Sequence, residues 1–398
     1  MARNHDISCV GKACTGCAAC SDVCPVDAIS MIRDMEGFAY PLINHALCLA
    51  CGKCLGVCPT VNRYSSHPVL RMYAAFANDS LLRSESSSGG IFSASARYVA
   101  EHGGAVVGAS VDSVGHVRHR LVNNPKDISL LQKSKYVQSD SEGIYRQIKD
   151  CLESGRRVLF SGCPCQVAGL STFLGKAYNN LITMDLICHG VPSPGVWERH
   201  VASITGGKPA RSITFRRKDV TARTTFSVDI VAPGLRYKGR DEFDDPYMAL
   251  FVTGSANREC CYACKFANSE RVGDITIGDC ASSNCYPRFY PWIQLSVVSL
   301  NTEKGKEFWS EVKNLFTILP IDHKREMCLN AQLSHPVVRP DFRNGIYDRI
   351  RESDIVSVAA DVIPSRTLKK KLKRVAKYLV PNVIRGHLIS LRAMVHDR

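Results

Sequence analysis

Two cysteine quartets near the start of the chain constrain it more than any other feature. Cys14, Cys17, Cys20 and Cys24 stand in the pattern C-x2-C-x2-C-x3-C, and Cys48, Cys51, Cys54 and Cys58 repeat it. Proline follows each last cysteine, at Pro25 and Pro59, and stops the short turn from running on as a helix. The spacing is the bacterial one for [4Fe–4S] ligation, in which the fourth cysteine serves the other cluster. The expected wiring is therefore crossed. Cys14, Cys17, Cys20 and Cys58 hold one cluster, and Cys48, Cys51, Cys54 and Cys24 hold the second. Zinc sites are closed by two pairs of ligands, and two quartets each ending in Cys-Pro do not fit that scheme.

The cysteine usage also bears on compartment. Nineteen cysteines, an odd count in C-x-x-C spacing, fit a cytoplasmic cluster-binding protein better than a disulfide-stapled secreted one. The N-terminus, Met-Ala-Arg-Asn-His-Asp, has no apolar signal region, and no uncharged stretch is long enough to span a bilayer. The net charge of +14 is uneven. Residues 366–398 carry ten Lys/Arg and one acid, Asp397, so the body is only mildly basic and gives no sign of a nucleic-acid surface. In that tail Leu368, Leu372, Val375 and Leu379 recur near helical spacing, and after Pro381 Ile384, Leu388, Leu391 and Val395 resume it. Two readings of this basic helical tail stand side by side: peripheral contact with an anionic membrane surface, or a solvated terminal helix with a docking stripe.

A chain of 398 residues predicts about two or three domains. Residues 1–62 read as an α+β ferredoxin-like dicluster module, 63–70 as a polar linker, 71–320 as an α/β domain, 321–365 as an irregular C-terminal extension and 366–398 as the tail. Within the α/β part, strand patterns fall at 72–77, 105–109, 157–161, 182–188 and 292–300. Helical patterns fall at 91–99, 144–152 and 305–315. The strand–helix–strand order over 157–188 predicts parallel strands, with cysteine-bearing loops at their carboxyl ends, where open sheets place ligands. The turn Ser86-Ser87-Ser88-Gly89-Gly90 opens a helix and offers N–H groups to a phosphate or pyrophosphate, and it reads equally well as an ordinary cap.

Six runs in order carry a family resemblance: Ser-Ser-Ser-Gly-Gly-Ile-Phe (86–92), Lys-Tyr-Val-Gln-Ser (135–139), Pro-Cys-Gln-Val-Ala-Gly-Leu (164–170), Asp-Leu-Ile-Cys-His-Gly-Val-Pro-Ser-Pro (185–194), Cys-Tyr-Ala-Cys-Lys-Phe (261–266) and Asp-Ile-Thr-Ile-Gly-Asp (274–279). Over roughly residues 10 to 310 the chain resembles the family of coenzyme F420 hydrogenase/dehydrogenase β subunits, in the bacterial polysaccharide-locus branch with an N-terminal two-cluster ferredoxin. The resemblance implies a mixed-sheet α/β domain that binds FAD, and a third [4Fe–4S] cluster on Cys165, Cys188, Cys261 and Cys264. It implies Ser87, Ser88, Gly89 and Gly90 as a pyrophosphate or ribityl cradle, Lys135 and Tyr136 at the isoalloxazine edge or a phosphate, and Gly162, Pro164 and Gln166 as further cofactor contacts. His189 is the candidate proton donor, and Asp274 and Asp279 read as loop-fixing carboxylates. The chain departs from the family at Cys280-Ala281, where an aromatic pair is usual, and in the extra thiols Cys163, Cys260, Cys280 and Cys285. Cys280 is the expected substitute if one named ligand is replaced.

The function implied is an iron–sulfur flavoprotein oxidoreductase. It takes electrons from a low-potential donor such as ferredoxin, passes them through [4Fe–4S] clusters to FAD, and delivers them to a two-electron small-molecule or sugar acceptor. The alternatives are a non-catalytic electron-transfer subunit of a larger redox complex, and a flavin-dependent enzyme that modifies a sugar in polysaccharide biosynthesis.

Overall fold

The computed structural model describes residues 6–218, 226, 228–239, 243–363, 384, 387 and 388, so the tail expected at 366–398 lies almost wholly outside the described residues. The N-terminal module pairs β1 (Ile29–Arg33) antiparallel with β2 (Ala39–Ile43) between the two quartets. The main sheet uses β3 (Arg71–Ala77), β4 (Ala105–Val111), β5 (Val117–Val122), β6 (Val158–Gly162) and β7 (Leu181–Leu186). A small antiparallel sheet follows, of β8 (Ser212–Thr214), β9 (Asp229–Ala232) and β10 (Leu235–Lys238). Then β11 (Ile275–Asp279), β12 (Ser296–Leu300) and β13 (Phe316–Pro320) complete the main sheet, in the order β13-β3-β12-β11-β7-β6-β4-β5.

The sheet is mixed, as expected. Neighbours β4, β6, β7 and β11 run parallel, and the outer pairings are antiparallel. Two antiparallel steps separate β3 from β11, so β3 points the same way as the parallel strands. The loops after β3, β6, β7 and β11 therefore open on one edge.

Alternating side chains cover both faces. Ala105, Val107, Val158 and Phe160 pack under the helices Ile144–Glu153 and Pro164–Leu174. Val106, Leu159 and Ile182 face the helices Ile91–Glu101 and Glu303–Val312. Runs buried on both sides are what a parallel centre requires.

The expected boundaries are softer than sequence suggested. Phe38 of the module is fully buried in one cluster with Trp197, Tyr247 and Tyr347. The linker 63–70 is docked, through the reciprocal backbone bonds of His67 with Arg271 and the Tyr64–Phe266 ring contact. The extension 321–365 is a correction: it forms the helices His323–Leu329, Ile346–Glu352 and Ile355–Val362, and Ile346 and Val358 enter the core. Each is too short to announce a helix without the surface it packs on, which is the Phe38 and Tyr247 cluster for the last two and the Met72 and Val297 cluster for Met327 of the first.

The module is clamped to the body by polar contacts. Asp22 accepts from the backbone N–H of Gly143 (2.6 Å) and Tyr145 (2.9 Å), so a module carboxylate caps the helix Ile144–Glu153, whose own N-cap is a glycine. Arg146 reaches back to the carbonyl of Cys24 at 3.0 Å and to Asp27 at 2.7 Å. Gly169 lets the helix Pro164–Leu174 approach the first quartet, because a Cβ there would meet Cys17 Sγ at 2.9 Å.

Candidate redox site

Cys163 follows β6 directly and caps the helix Pro164–Leu174, Cys165 sits in the first turn of that helix, and the loop after β7 carries Cys188 and His189. A short turn, Glu259–Ala263, lies across them, held by Arg258 N–H to the Val191 carbonyl (2.9 Å) and Asn257 Nδ2 to the His189 carbonyl (3.0 Å). Beneath, Arg271 pairs with Asp185 at 2.9 Å, both buried, and ties β11 to β7 under the Cys188 loop.

Six thiols, Cys163, Cys165, Cys188, Cys260, Cys261 and Cys264, line one cavity of about 130 Å³ together with Ala13, Thr15 and Thr60 of the module. Among the described residues no three His, Cys, Asp or Glu side chains close on a single point as they would for one ion; these thiols ring a space. Cys163 and Cys188 sulfurs are 3.8 Å apart. The Cys188 thiol and burial both push Cys163 up, and burial with the Cys264 and Cys188 thiols does the same to Cys165. Burial raises Cys264 to about 11 and Cys17 to about 12. Several buried thiolates side by side need a cation among them, and the irons of a cubane meet that need. The donor set thus fits a cluster, and all four expected ligands are brought together.

The extra thiols sort differently than expected. Cys163 and Cys260 share the cavity. Cys280 does not: burial pushes it up to about 12, and it sits beside Ser282 (3.5 Å) and Glu326 (3.8 Å) in a separate apolar cluster with Leu295. Cys280 is thus not among the thiols that line the cavity. Its place behind the sheet edge follows from strand β11 ending one residue earlier, at Asp279.

A second cavity, of about 570 Å³, adjoins the first; Cys163, Cys165 and Cys188 line both. Its size is ordinary for a cofactor pocket. Ser87, Ser88, Gly90, Lys135, Tyr136, Gly162, Gln166 and His189 line it. Ser87 Oγ accepts from Ser134 N–H at 2.8 Å, and Ser88, at φ +49, bonds to Asp279. Buried Arg216 offsets that carboxylate at 2.7 Å. Tyr136, Phe226 and Phe251 form an aromatic wall, with Tyr136 stacked on Phe251 at 4.5 Å. Hydroxyls and the N-terminus of the helix Ile91–Glu101 at one side, and stacked rings at another, fit a molecule with a diphosphate and a flat ring.

Several expected contacts turn out to be supports. Gly89 packs behind the cavity, where a Cβ would strike the Ala75 carbonyl at 2.4 Å. Pro164 starts its helix and lines the thiol cavity instead. Gln166 spends its amide on Cys163 N–H (2.9 Å), Ser139 Oγ (3.0 Å) and Ser141 Oγ (2.9 Å), and so fixes the Cys163 loop. Lys135 turns its Nζ to the Gln132 carbonyl at 2.7 Å, and burial lowers it to about 7, so it is no solvated surface lysine. Burial lowers His189 below its ordinary value. Asp274 fixes loops through Thr183 and Thr302, as expected. Sequence reasoning missed Arg216, Phe226 and Phe251, which stand alone in the sequence with no motif around them.

Cysteine spacing and thiol arrangement define a class: a protein built to hold iron–sulfur clusters. Residues 13–62 match the 4Fe-4S dicluster domain, and residues 155–323 match the C terminus of the coenzyme F420 hydrogenase/dehydrogenase β subunit. Residues 155–323 are thus a domain of the kind that ends that β subunit, and they are joined to an N-terminal dicluster domain. The eight quartet cysteines and all six cavity thiols fall inside these stretches; Ser87–Gly90, Lys135 and Tyr136 fall outside them. The chain is similar to the coenzyme F420-dependent sulfite reductase of Methanocaldococcus jannaschii, 23% identical over 315 residues, covering 75% of this chain and 46% of that protein. It is similar to one of the subunits of the F420H2 dehydrogenase of Methanosarcina mazei, 24% identical over 171 residues, covering 41% and 47%. It spans about half the length of these curated relatives. A solved chain from the F420-reducing [NiFe] hydrogenase complex of Methanosarcina barkeri is 17% identical, with a TM-score of 0.45 over 78% of this chain and 92% of that one. No described helix is long and apolar enough to cross a membrane.

Proposed function

We propose that the chain is an electron conduit. One-electron equivalents from a low-potential donor reach the two quartet sites, continue to the thiol cavity, and leave as a two-electron reduction of an organic acceptor at an FAD in the 570 Å³ cavity. The observation that carries this reading is the sharing of Cys163, Cys165 and Cys188 by both cavities, with Thr15 of the first quartet in both walls as well.

Cys14, Cys17, Cys20 and Cys58 would hold one cluster, Cys48, Cys51, Cys54 and Cys24 the second, and Cys165, Cys188, Cys261 and Cys264 the third. Cys163 and Cys260 are the alternates for the third set. When bound, flavin supplies the change from single electrons to a hydride equivalent. The residues of the chain do the rest. Ser87, Ser88 and the helix N-terminus bind the diphosphate; Tyr136 and Phe251 exclude water from the ring; Gln166 holds the Cys163 loop against the thiol cavity. His189, on both the loop and the cavity wall, is placed to donate a hydrogen bond to acceptor or ring.

Two features of the relatives, F420 dependence and membership of a multi-subunit dehydrogenase, bear on donor and acceptor. The acceptor is a deazaflavin or a small molecule, a sugar included, and the donor is a small carrier such as ferredoxin or a partner protein. Anaerobic reconstitution followed by flavin and acid-labile sulfide analysis tests the reading. One FAD per chain is expected. A protein that loads iron but no flavin is a cluster-binding carrier and overturns the enzyme assignment.

A further inference from the structure

The two quartets are not equally covered. The first is built into the body: Cys17 and Cys20 are buried, the loop after Cys14 is held by Arg258 and Gln138, and Thr172 Oγ1 binds the Val57 carbonyl at 2.6 Å. The second faces outward. Every residue from 44 to 53 except Cys48 is exposed, Cys51 included. Asn44 shapes this loop by accepting from Ala46 N–H (3.1 Å) and, through its carbonyl, from Leu47 and Cys48. Left-handed backbone at Ala50 and Gly52 then turns it around the cysteines. The result puts Leu47 (52% exposed) and Leu49 (64% exposed) in water on either side of Cys48.

Charge along this apolar stretch of sequence is positive. Between Glu36 and Asp79 the sequence contains no acid, while Lys53 at the end of the loop and Arg63 ten residues further on, both exposed, carry positive charge. Asp6, near enough for His45 to be felt, is engaged by Ser8 N–H at 2.9 Å.

We propose that the Asn44–Lys53 loop is the docking face for an acidic, protein-borne one-electron carrier with its own exposed redox centre. The proposal rests on the cluster assignment for Cys48, Cys51, Cys54 and Cys24, and it does not depend on FAD. Leu47 and Leu49 supply the dry centre, and Lys53 and Arg63 the basic rim that steers the partner. One electron leaves the reduced carrier, which is oxidised, and one is gained at the outer quartet; no proton or group moves. A small, salt-sensitive contact is what a carrier that must leave after each electron needs.

The test is stopped-flow mixing of the iron-loaded holoprotein, without oxygen, with a reduced acidic [2Fe–2S] ferredoxin as the probe, followed by cluster bleaching. Reduction is expected to slow about tenfold from low to about 0.5 M salt, since steering is screened. Lys53→Glu with Arg63→Glu is expected to slow it about tenfold at low salt, and Leu49→Asp likewise, with reduction by dithionite and iron content at native levels. A native rate indifferent to salt overturns the proposal. So does a charge-reversed, fully loaded variant that ferredoxin reduces at the native rate. Should the double variant fail to load iron, Lys53→Gln and the salt series on the native protein decide the matter. Because the readout is cluster bleaching, a protein that binds no flavin but passes this test defeats the enzyme reading alone.

Discussion

Arg258 donates from Nε to the carbonyl of Cys14 at 2.7 Å and has no exposed surface. Its Nη1 binds Gln138 Oε1 at 3.0 Å, its Nη2 binds the Ala39 carbonyl at 2.9 Å, and its guanidinium lies 4.1 Å from the centre of the Tyr40 ring. One buried cation thus joins the first quartet, the module hairpin and the turn that carries Cys260 and Cys261. Burial pushes the Cys14 thiol up, and the Arg258 charge pulls it back.

A fixed positive charge favours the more reduced, more negative form of a nearby cluster, so Arg258→Gln should lower the midpoint potential of the inner quartet. A drop of about 60 mV is expected, tenfold in equilibrium for one electron, read by EPR-monitored titration. Arg258→Lys keeps the charge but cannot fork to three acceptors. It should hold the potential while amide exchange over residues 14–17 speeds up. Equal potentials in wild type and Arg258→Gln would refute the electrostatic role.

The Asp22 cap makes a stability prediction. Asp22→Ala strips the Gly143 and Tyr145 N–H groups of their acceptor across the module–body junction. The loss should be about 1–2 kcal/mol, seen as a lower melting temperature of the holoprotein, with Asp22→Asn about half as costly. An unchanged melt in the Ala variant would show that the helix needs no partner carboxylate.

His116 gives a pH prediction. Asp140 at 3.9 Å and Glu198 at 2.9 Å raise it from 6.5 to about 9, and Glu198 also takes Arg33 of the module at 2.7 Å. Burial opposes ionisation of Glu198, yet Arg33 and His116 bring it down to about 2. A raised native value means the stabilisation is complete below about pH 6.5 and is lost as pH climbs through about 9. His116→Gln should therefore cost about 1–2 kcal/mol more at pH 6.5 than at pH 9.5, allowing for partial exposure. A cost that does not change over this window contradicts the ion pairing.

What the sequence disclosed was whatever is local. The quartets are a spacing, and spacing survives without a fold. Strands β6 and β7 are short apolar runs buried on both faces, so their parallel pairing and the placing of Cys165 and Cys188 at their ends could be read directly. The second wall of the cavity could not. Arg216 and Phe226 reach it from the segment between β8 and β9 and Phe251 from the helix Pro246–Val252, and only the packed state brings them to Tyr136. Arg258 is a single residue whose partners lie 120 and 244 positions away. Cys280 follows a motif directly, yet its side chain is buried beside Glu326 and away from the thiol cavity, a placement that only the packed state shows.

The proposed third cluster, at the junction of the two cavities, is tested most directly by iron stoichiometry. Anaerobically prepared native protein should carry about twelve irons per chain, four for each of three cubanes. Cys165→Ser with Cys188→Ser should retain about eight and keep both module signals in the reduced EPR spectrum. A native count of about eight, left unchanged by that double substitution, would contradict the third cluster and the conduit built on it.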